Sequence, residues 1–244
     1  MSSTHLHAGS AHVVSCTTTA RALWLKLQSI LYKDTKGNTR KWDSCARTTA
    51  AERRGEAVDE EGPDTKAHSG ADAVAVVALL TSHTENPKLL FVKQFRPPVN
   101  AYTIEFPAGL IDPGETPLQA ALRELKEETG YIGEPLEGSR IGNDVVHVSP
   151  ELCLSPGMTA ESIHVVTLKV DLDDEKNHHP KQDLDEEEDI EILRIEVPSL
   201  LRELDALAGE NYRIFDGVYL FAYGLVFSGL ADALHSEHTE AKGG

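Results

Sequence analysis

Positive charge is scarce in this 244-residue sequence: 23 Lys plus Arg stand against 40 Asp plus Glu, a net charge of −17. A chain without a cationic excess has little with which to neutralise phosphates, so a nucleic-acid partner is not expected. An anionic small ligand is not excluded, because a few Arg side chains or a bound metal can reverse the field locally. Cysteine is scarce as well. Cys16, Cys45 and Cys153 are odd in number, widely spaced and contain no CxxC pair, so there is no disulfide framework and a reducing compartment is expected. No apolar run approaches the roughly 18–20 residues needed to span a bilayer, which argues against a membrane-spanning chain. Acidic residues are missing from the first 33 positions, which are rich in Ser and Thr and carry Arg21, Lys26 and Lys33. That start fits a weak organellar signal or a plain disordered terminus.

What is present reads as alternating strand and helix patterns. Residues 1–20 have the composition of a flexible terminus. Leu23 to Tyr32 reads as a strand, Asp34-Thr35-Lys36-Gly37-Asn38 as a turn, and Thr39 to Trp42 as the start of a return strand, which makes a β-hairpin with one Trp on each arm. Residues 50–70 are polar and read as a surface loop or linker. The nearly continuous apolar run Ala73 to Leu80 predicts a buried central strand. Partner strands are expected over Leu89–Phe95, Tyr102–Phe106, Ile163–Val170 and Ile190–Val197, and helices over Ser199–Ala208 and Tyr219–Leu234. A very acidic loop spans 171–189. Strands that flank a few helices without a βαβαβ rhythm point to an α+β fold with a mixed sheet.

The best-marked helix follows Pro113-Gly114. Thr116 is a good N-cap, Pro117 suits the first helical position, Gln119 completes a capping box, and Gly130 is placed to end the helix. Leu118, Ala121, Leu122 and Leu125 form its apolar stripe. At about 100° per residue, Glu124, Glu127 and Glu128 fall within one arc beside that stripe. Carboxylates this close repel one another unless a cation occupies the site. Hard oxygen donors suit Mg²⁺ or Mn²⁺, and no His or Cys lies in the segment. On composition alone, a solvated acidic face is the competing reading.

The full spacing is more specific. Gly109, five residues, Glu115, seven residues, Arg123-Glu124-Leu125, one residue, Glu127-Glu128, one residue and Gly130 resemble the Nudix box at every required Gly, Glu and Arg. The one departure is Tyr131, where an aliphatic residue is usual; it is a packing position. The resemblance continues outside the box. Val92 to Pro98, Ile104 to Gly109, Trp24, Arg40-Lys41-Trp42 and Arg47-Thr48-Thr49 are similar to the ADP-sugar diphosphatase branch that hydrolyses ADP-ribose, and Pro156 resembles its downstream proline. The likeness covers roughly residues 22–235, with added loops near 51–69 and 135–146.

The resemblance implies a Nudix fold, a mixed β-sheet sandwiched between helices, with an N-terminal β-hairpin region for dimerisation. The expected divisions are a flexible terminus over 1–20, the β region and linker over 21–70, a Nudix hydrolase domain over 71–235 and a flexible tail over 236–244. It implies Mg²⁺, with Mn²⁺ as a substitute, held by Glu124, Glu128, Glu127 and the carbonyl of Ala108. Arg123, Glu115 and Gly109 would support that site, with a ligand role for Glu115 as the alternative. Arg96, Arg47 and Glu105 would contact the diphosphate substrate, and Trp24 and Trp42 would sandwich the adenine, one ring from each subunit of a homodimer. The general base would be Glu188, with Glu186 and Glu187 left open by a possible slip in register, and Glu127 would assist catalysis.

The implied reaction is hydrolysis of ADP-ribose or an ADP-sugar to AMP and a sugar phosphate. Two other readings compete: a diphosphatase for another nucleoside diphosphate derivative, such as an oxidised nucleotide, and a module that binds ADP-ribose without cleaving it. The implied partner is a small nucleotide sugar, not a nucleic acid or a membrane. The expected compartment is the cytoplasm, with the nucleus second and the mitochondrion behind both.

Overall fold

The computed structural model describes residues 10–48, 71–136, 140–141, 144–145 and 148–240. The chain forms two compact units, one from the N-terminal segment with Glu151–Ile163 and one from Ala73–Pro150 with His164 onward.

The first unit is built on an antiparallel meander of β1 (His12–Arg21), β2 (Leu25–Lys33) and β3 (Thr39–Arg47). The β2–β3 turn places Gly37 at φ 79°, and Asp34 Oδ1 accepts from the Lys36 and Asn38 amides. Strand β1 occupies a stretch expected to be flexible. Its Val, Thr and Cys residues favour extended backbone, and β2 supplies the hydrogen-bonding edge that the sequence alone does not reveal. Side-chain polarity on β2 is inverted: Lys26 and Gln28 are buried, whereas Leu25, Leu27 and Leu31 are exposed. The segment Glu151–Ile163 closes the unit, with Cys45 N donating to Met158 O at 2.9 Å and Ser44 Oγ to the same carbonyl at 3.0 Å.

The second unit contains the mixed sheet. Strands β4 (Ala73–Thr81), β5 (Lys88–Arg96), β6 (Ala101–Glu105) and β7 (Ala108–Leu110) precede helix α1 (Pro117–Thr129). Short pieces β8 (Glu134–Pro135), β9 (Arg140–Ile141) and β10 (Asp144–Val145) follow, and β11 (Leu152–Cys153) belongs to the first unit. Next come β12 (Ser162–Asp171), β13 (Ile190–Glu196), α2 (Leu200–Gly209), β14 (Arg213–Ile214) and α3 (Asp216–Glu240). The sheet order is β12–β4–β5–β6–β14, with β13 also on β5 and β7 on β4. The β6–β14 pair is parallel, while β5 and β6, β5 and β13, and β4 and β7 are antiparallel.

Strand β4 is apolar almost throughout because both of its faces are covered. Val74, Val76, Ala78 and Leu80 pack with Ala120, Ala121 and Leu125 of α1, and with Val166, Leu168 and Val170 of β12. Across the sheet, Phe91 meets Phe106 at 5.3 Å between ring centroids, and Phe106 meets Phe221 of α3 at 5.8 Å. Helices therefore flank the sheet on both sides, the mixed sheet between helices that the resemblance implies. Tyr131, the departure from the box pattern, is buried in the α1 core, and its hydroxyl accepts from Arg194 Nη1 at 2.9 Å.

Helix α3 continues to Glu240, through a tail expected to be flexible from residue 236. The run Ala231 to Glu240 contains no Gly or Pro, so nothing local stops the helix. The expected linker at 50–70, and parts of the insertion near 135–146, lie outside the described residues. Among the described residues no helix is long and apolar enough to cross a membrane.

Candidate active site

The site is assembled where β7 passes the acidic face of α1. The capping box forms, with Gln119 N donating to Thr116 Oγ1 at 3.3 Å and Thr116 N to Gln119 Oε1 at 2.9 Å. This fixes the first turn and hence the direction in which Arg123, Glu124, Glu127 and Glu128 project. Gly109 on β7 has a specific reason to lack a side chain: a Cβ there would stand 1.9 Å from Glu124 Oε1. Gly109→Ala is therefore expected to lower kcat by about tenfold to a hundredfold, since small misplacements of reacting groups carry penalties of that size. Stability should change little, because the displaced atoms end a flexible side chain. Paired activity and thermal-melting measurements check this.

Arg123 ties the cluster together. Its Nε and Nη2 bind Glu115 Oε1 and Oε2 at 3.0 and 2.9 Å, and its Nη1 donates to Glu124 Oε1 at 2.7 Å and Glu127 Oε2 at 3.0 Å. Nη2 also reaches the carbonyl of Leu110 at 2.9 Å, so one guanidinium joins the β7 end, the Glu115 loop and α1. Glu115 in turn accepts from Asp112 N at 3.0 Å. The bidentate hydrogen bonds from Arg123 hold the Glu115 carboxyl below its ordinary range.

Glu124 and Glu128 are 8% and 5% exposed. Burial pushes both carboxyls up, against the pull of Arg123 on Glu124 and of the Ala108 amide on Glu128. Glu128 reaches about 8, with the charges of Glu124 and Glu188 adding to burial. Its Oε2 accepts from Ala108 N at 3.0 Å, which sets the backbone of Ala108 beside the carboxylate. Among the described residues no His, Cys, Asp or Glu side chains already converge as three preformed metal ligands. The donor set nevertheless fits a hard divalent cation. Two buried carboxylates with raised affinity for protons have an unmet demand for positive charge, and their donors are all oxygen.

Arg96, at the end of β5, forms a two-pronged pair with Glu105 of β6: Nε to Oε1 and Nη2 to Oε2, both at 2.8 Å. Thr103 Oγ1 donates to Glu105 Oε1 at 2.5 Å. Burial raises the Glu105 carboxyl, but the bonds from Arg96 and Thr103 outweigh it and leave the group below its ordinary range. The charges of Glu128 and Glu188 also act on Arg96. Glu188 lies in the loop before β13, half-buried, and its Oε2 accepts from Asp185 N at 3.1 Å.

The structure thus brings Arg96, Glu105, Ala108, Gly109, Glu115, Arg123, Glu124, Glu127, Glu128 and Glu188 into the second unit. Trp24, Trp42 and Arg47 belong to the first. There, Trp42 Nε1 donates to Gly157 O at 3.1 Å, Arg47 Nε pairs with Glu161 Oε1 at 2.6 Å, and the two indoles are 54% and 49% exposed. Three participants escaped sequence reasoning: Thr103 behind Glu105, Glu161 on Arg47, and Gln182. Gln182 Nε2 donates to the carbonyls of Glu128 and Ile190. Glu161 and Gln182 meet partners far along the chain, which no local pattern marks, whereas Thr103 lies two residues before Glu105 on β6, a neighbour that the two-residue period of a strand does place on the same face.

A carboxylate helix braced by one Arg, a Gly-bearing strand beside it and a mixed sheet between helices define a Nudix domain. The chain belongs to the Nudix family of hydrolases, its residues 71–215 matching the NUDIX domain. It is 37% identical over 223 residues to the ADP-sugar pyrophosphatase of Mus musculus, covering 91% of this chain and 90% of that protein. It is 35% identical over 211 residues to the ADP-ribose pyrophosphatase of Saccharomyces cerevisiae, covering 86% and 80%. A crystal structure of an ADP compounds hydrolase shares the fold, with a TM-score of 0.54 at 19% identity, over 91% of this chain and 96% of that one.

Proposed function

We propose that this chain is a Mg²⁺-dependent diphosphatase that hydrolyses ADP-ribose and ADP-sugars to AMP and a sugar phosphate. The observation that carries the reading is the pair of buried carboxylates, Glu124 and Glu128, held against β7 on a helix that Arg123 braces. The names of the two pyrophosphatases support the substrate class. Glu124 and Glu128, with Glu127 and the Ala108 carbonyl, would hold Mg²⁺ or Mn²⁺. When bound, the cation supplies positive charge against the diphosphate as water attacks.

The chain's own groups do the rest. Arg96, oriented by Glu105, has N–H groups beyond that pair to offer the diphosphate oxygens. Glu188 takes the proton of the water that attacks one phosphorus, and the bond from that phosphorus to the bridging oxygen breaks. The electrostatic interplay of Glu188 with Glu128 and Arg96 supports it over Glu186 and Glu187. The exposed indole faces of Trp24 and Trp42 suit a purine, and Arg47 lies on the same strand as Trp42. The inverted polarity of β2, with leucines outward, supports a homodimer that covers that face. A cytoplasmic setting agrees with the sparse cysteines.

Three measurements test this reading. Relative kcat/KM across ADP-ribose, ADP-sugars, other nucleotide sugars and oxidised deoxynucleotides should rank the ADP compounds first; a higher value for a non-adenine substrate would replace the substrate assignment. Sedimentation should show a mass near twice 26.6 kDa, and Trp42→Ala should raise KM strongly while leaving kcat close to wild type. An active monomer with unchanged KM would reject the shared adenine site.

A further inference from the structure

The last carbonyls of a helix have no partners within it and must find donors elsewhere. On α1, Lys126 O is satisfied by Gly130 N at 2.8 Å, within the helix cap. The next two are satisfied by the acidic loop. Asp183 N donates to Glu127 O at 2.8 Å, and Gln182 Nε2 donates to Glu128 O at 2.7 Å. The same Gln182 nitrogen donates to Ile190 O at 3.0 Å, at the first residue of β13. One side-chain amide therefore pins the beginning of the 183–189 loop to its end, and both to the helix that carries the site carboxylates. Gly130 makes room for this: it sits at φ 75°, and a Cβ would stand 2.2 Å from Lys181 N. Within the loop, the Glu188–Asp185 turn is closed by Glu188 N to Asp185 O at 3.0 Å and Asp185 N to Glu188 Oε2 at 3.1 Å.

We propose that Gln182 is the positioning residue of the acidic loop, clamping it onto the carboxyl end of α1 so that its catalytic glutamate is held at a fixed place relative to Glu124 and Glu128. The proposal rests on the reading of this loop as the carrier of the general base. The residue type follows from the chemistry of the two partners. Both are carbonyl oxygens, so the clamp must be a two-donor group. A Glu would turn acceptor against acceptor and add charge beside Glu128; an Asn, one methylene shorter, spans less; a Leu keeps the volume and loses both bonds. Without the clamp the side-chain tie between Glu128 O and Ile190 O is lost, the loop is held to α1 by the Asp183 N–Glu127 O bond with less restraint, and the glutamate samples positions away from the attacking water.

The test is a double-mutant cycle on the purified full-length chain with ADP-ribose and Mg²⁺. Gln182→Leu should lower kcat by about tenfold to a hundredfold, the scale of a misplaced catalytic group, with KM within about twofold. In the background of whichever of Glu186→Gln, Glu187→Gln or Glu188→Gln carries the large kcat loss, Gln182→Leu should cost almost nothing further, because the group it positions is already disabled. Gln182→Asn repeats the cycle if the Leu variant does not fold, with an intermediate loss. Losses that multiply fully, or a wild-type kcat in a folded Gln182 variant whose parent depends on a loop glutamate, overturn the proposal alone. Absence of AMP from the wild type, or full kcat in all three Glu→Gln variants, overturns the functional reading and this proposal with it.

Discussion

Glu128→Gln is expected to reduce kcat by at least about a hundredfold, more than the tenfold to hundredfold typical of groups that only support a metal ligand. The same substitution should stabilise the metal-free protein, and the gain should grow with pH. The sign follows from the proton balance. The carboxyl sits at about 8 in the folded protein against 4.5 as its ordinary value. Between those two values the folded protein holds a proton that the unfolded chain has released, so this group's contribution to stability falls as pH rises. At about 1.4 kcal/mol for each unit, the burden at pH 8 is on the order of a few kcal/mol. Gln keeps an oxygen for the Ala108 amide and cannot ionise. Melting in EDTA should therefore show wild type and variant diverging from pH 5.5 to pH 8, with the variant the more stable. Added Mg²⁺ should raise the wild-type melting temperature at pH 8 and leave the variant nearly unchanged. A variant with near-normal turnover at saturating Mg²⁺, or one less stable than wild type at pH 8 in EDTA, would remove Glu128 from the metal site.

The second large effect is expected at Glu188. A positioned general base contributes typically about a hundredfold to ten-thousandfold, so Glu188→Gln should lower kcat into that range with little change in KM. Gln at 188 can still accept from Asp185 N, so the turn survives the loss of the base. Glu186→Gln and Glu187→Gln serve as controls; both side chains are exposed and should retain most of their turnover. Three equally mild effects would place the base outside this loop.

How far the sequence is legible depends on the range of each interaction. Helix α1 is readable because its instructions are local: Thr116, Pro117, Gln119 and Gly130 sit within a few residues of the backbone groups they cap. Strand β4 is readable because burial on both faces leaves no polar gap in its apolar run. Strand β1 is not, since a Ser/Thr-rich stretch becomes a strand only once β2 offers its edge. At the site, Gly109 is visible as a letter of the motif, but its reason is the Glu124 carboxylate 15 positions later in the chain, which only the fold brings near. Arg96 and Glu105 appear in the sequence as two separate substrate contacts. The antiparallel pairing of β5 and β6 makes them one unit, in which Glu105 orients the guanidinium. Gln182 is the extreme case: it lies among acids in a polar loop, and its partners are main-chain carbonyls that no residue pattern records.

Cleavage of the ADP-ribose diphosphate with a divalent cation held on α1 can be read from the products themselves. Purified protein is incubated with ADP-ribose and Mg²⁺, and AMP and ribose 5-phosphate are quantified over time, with and without excess EDTA. The two products are expected in equal amounts, and EDTA is expected to abolish both. Intact ADP-ribose after prolonged incubation with Mg²⁺ or Mn²⁺, or AMP formed at the full rate in EDTA, would contradict the proposed reaction.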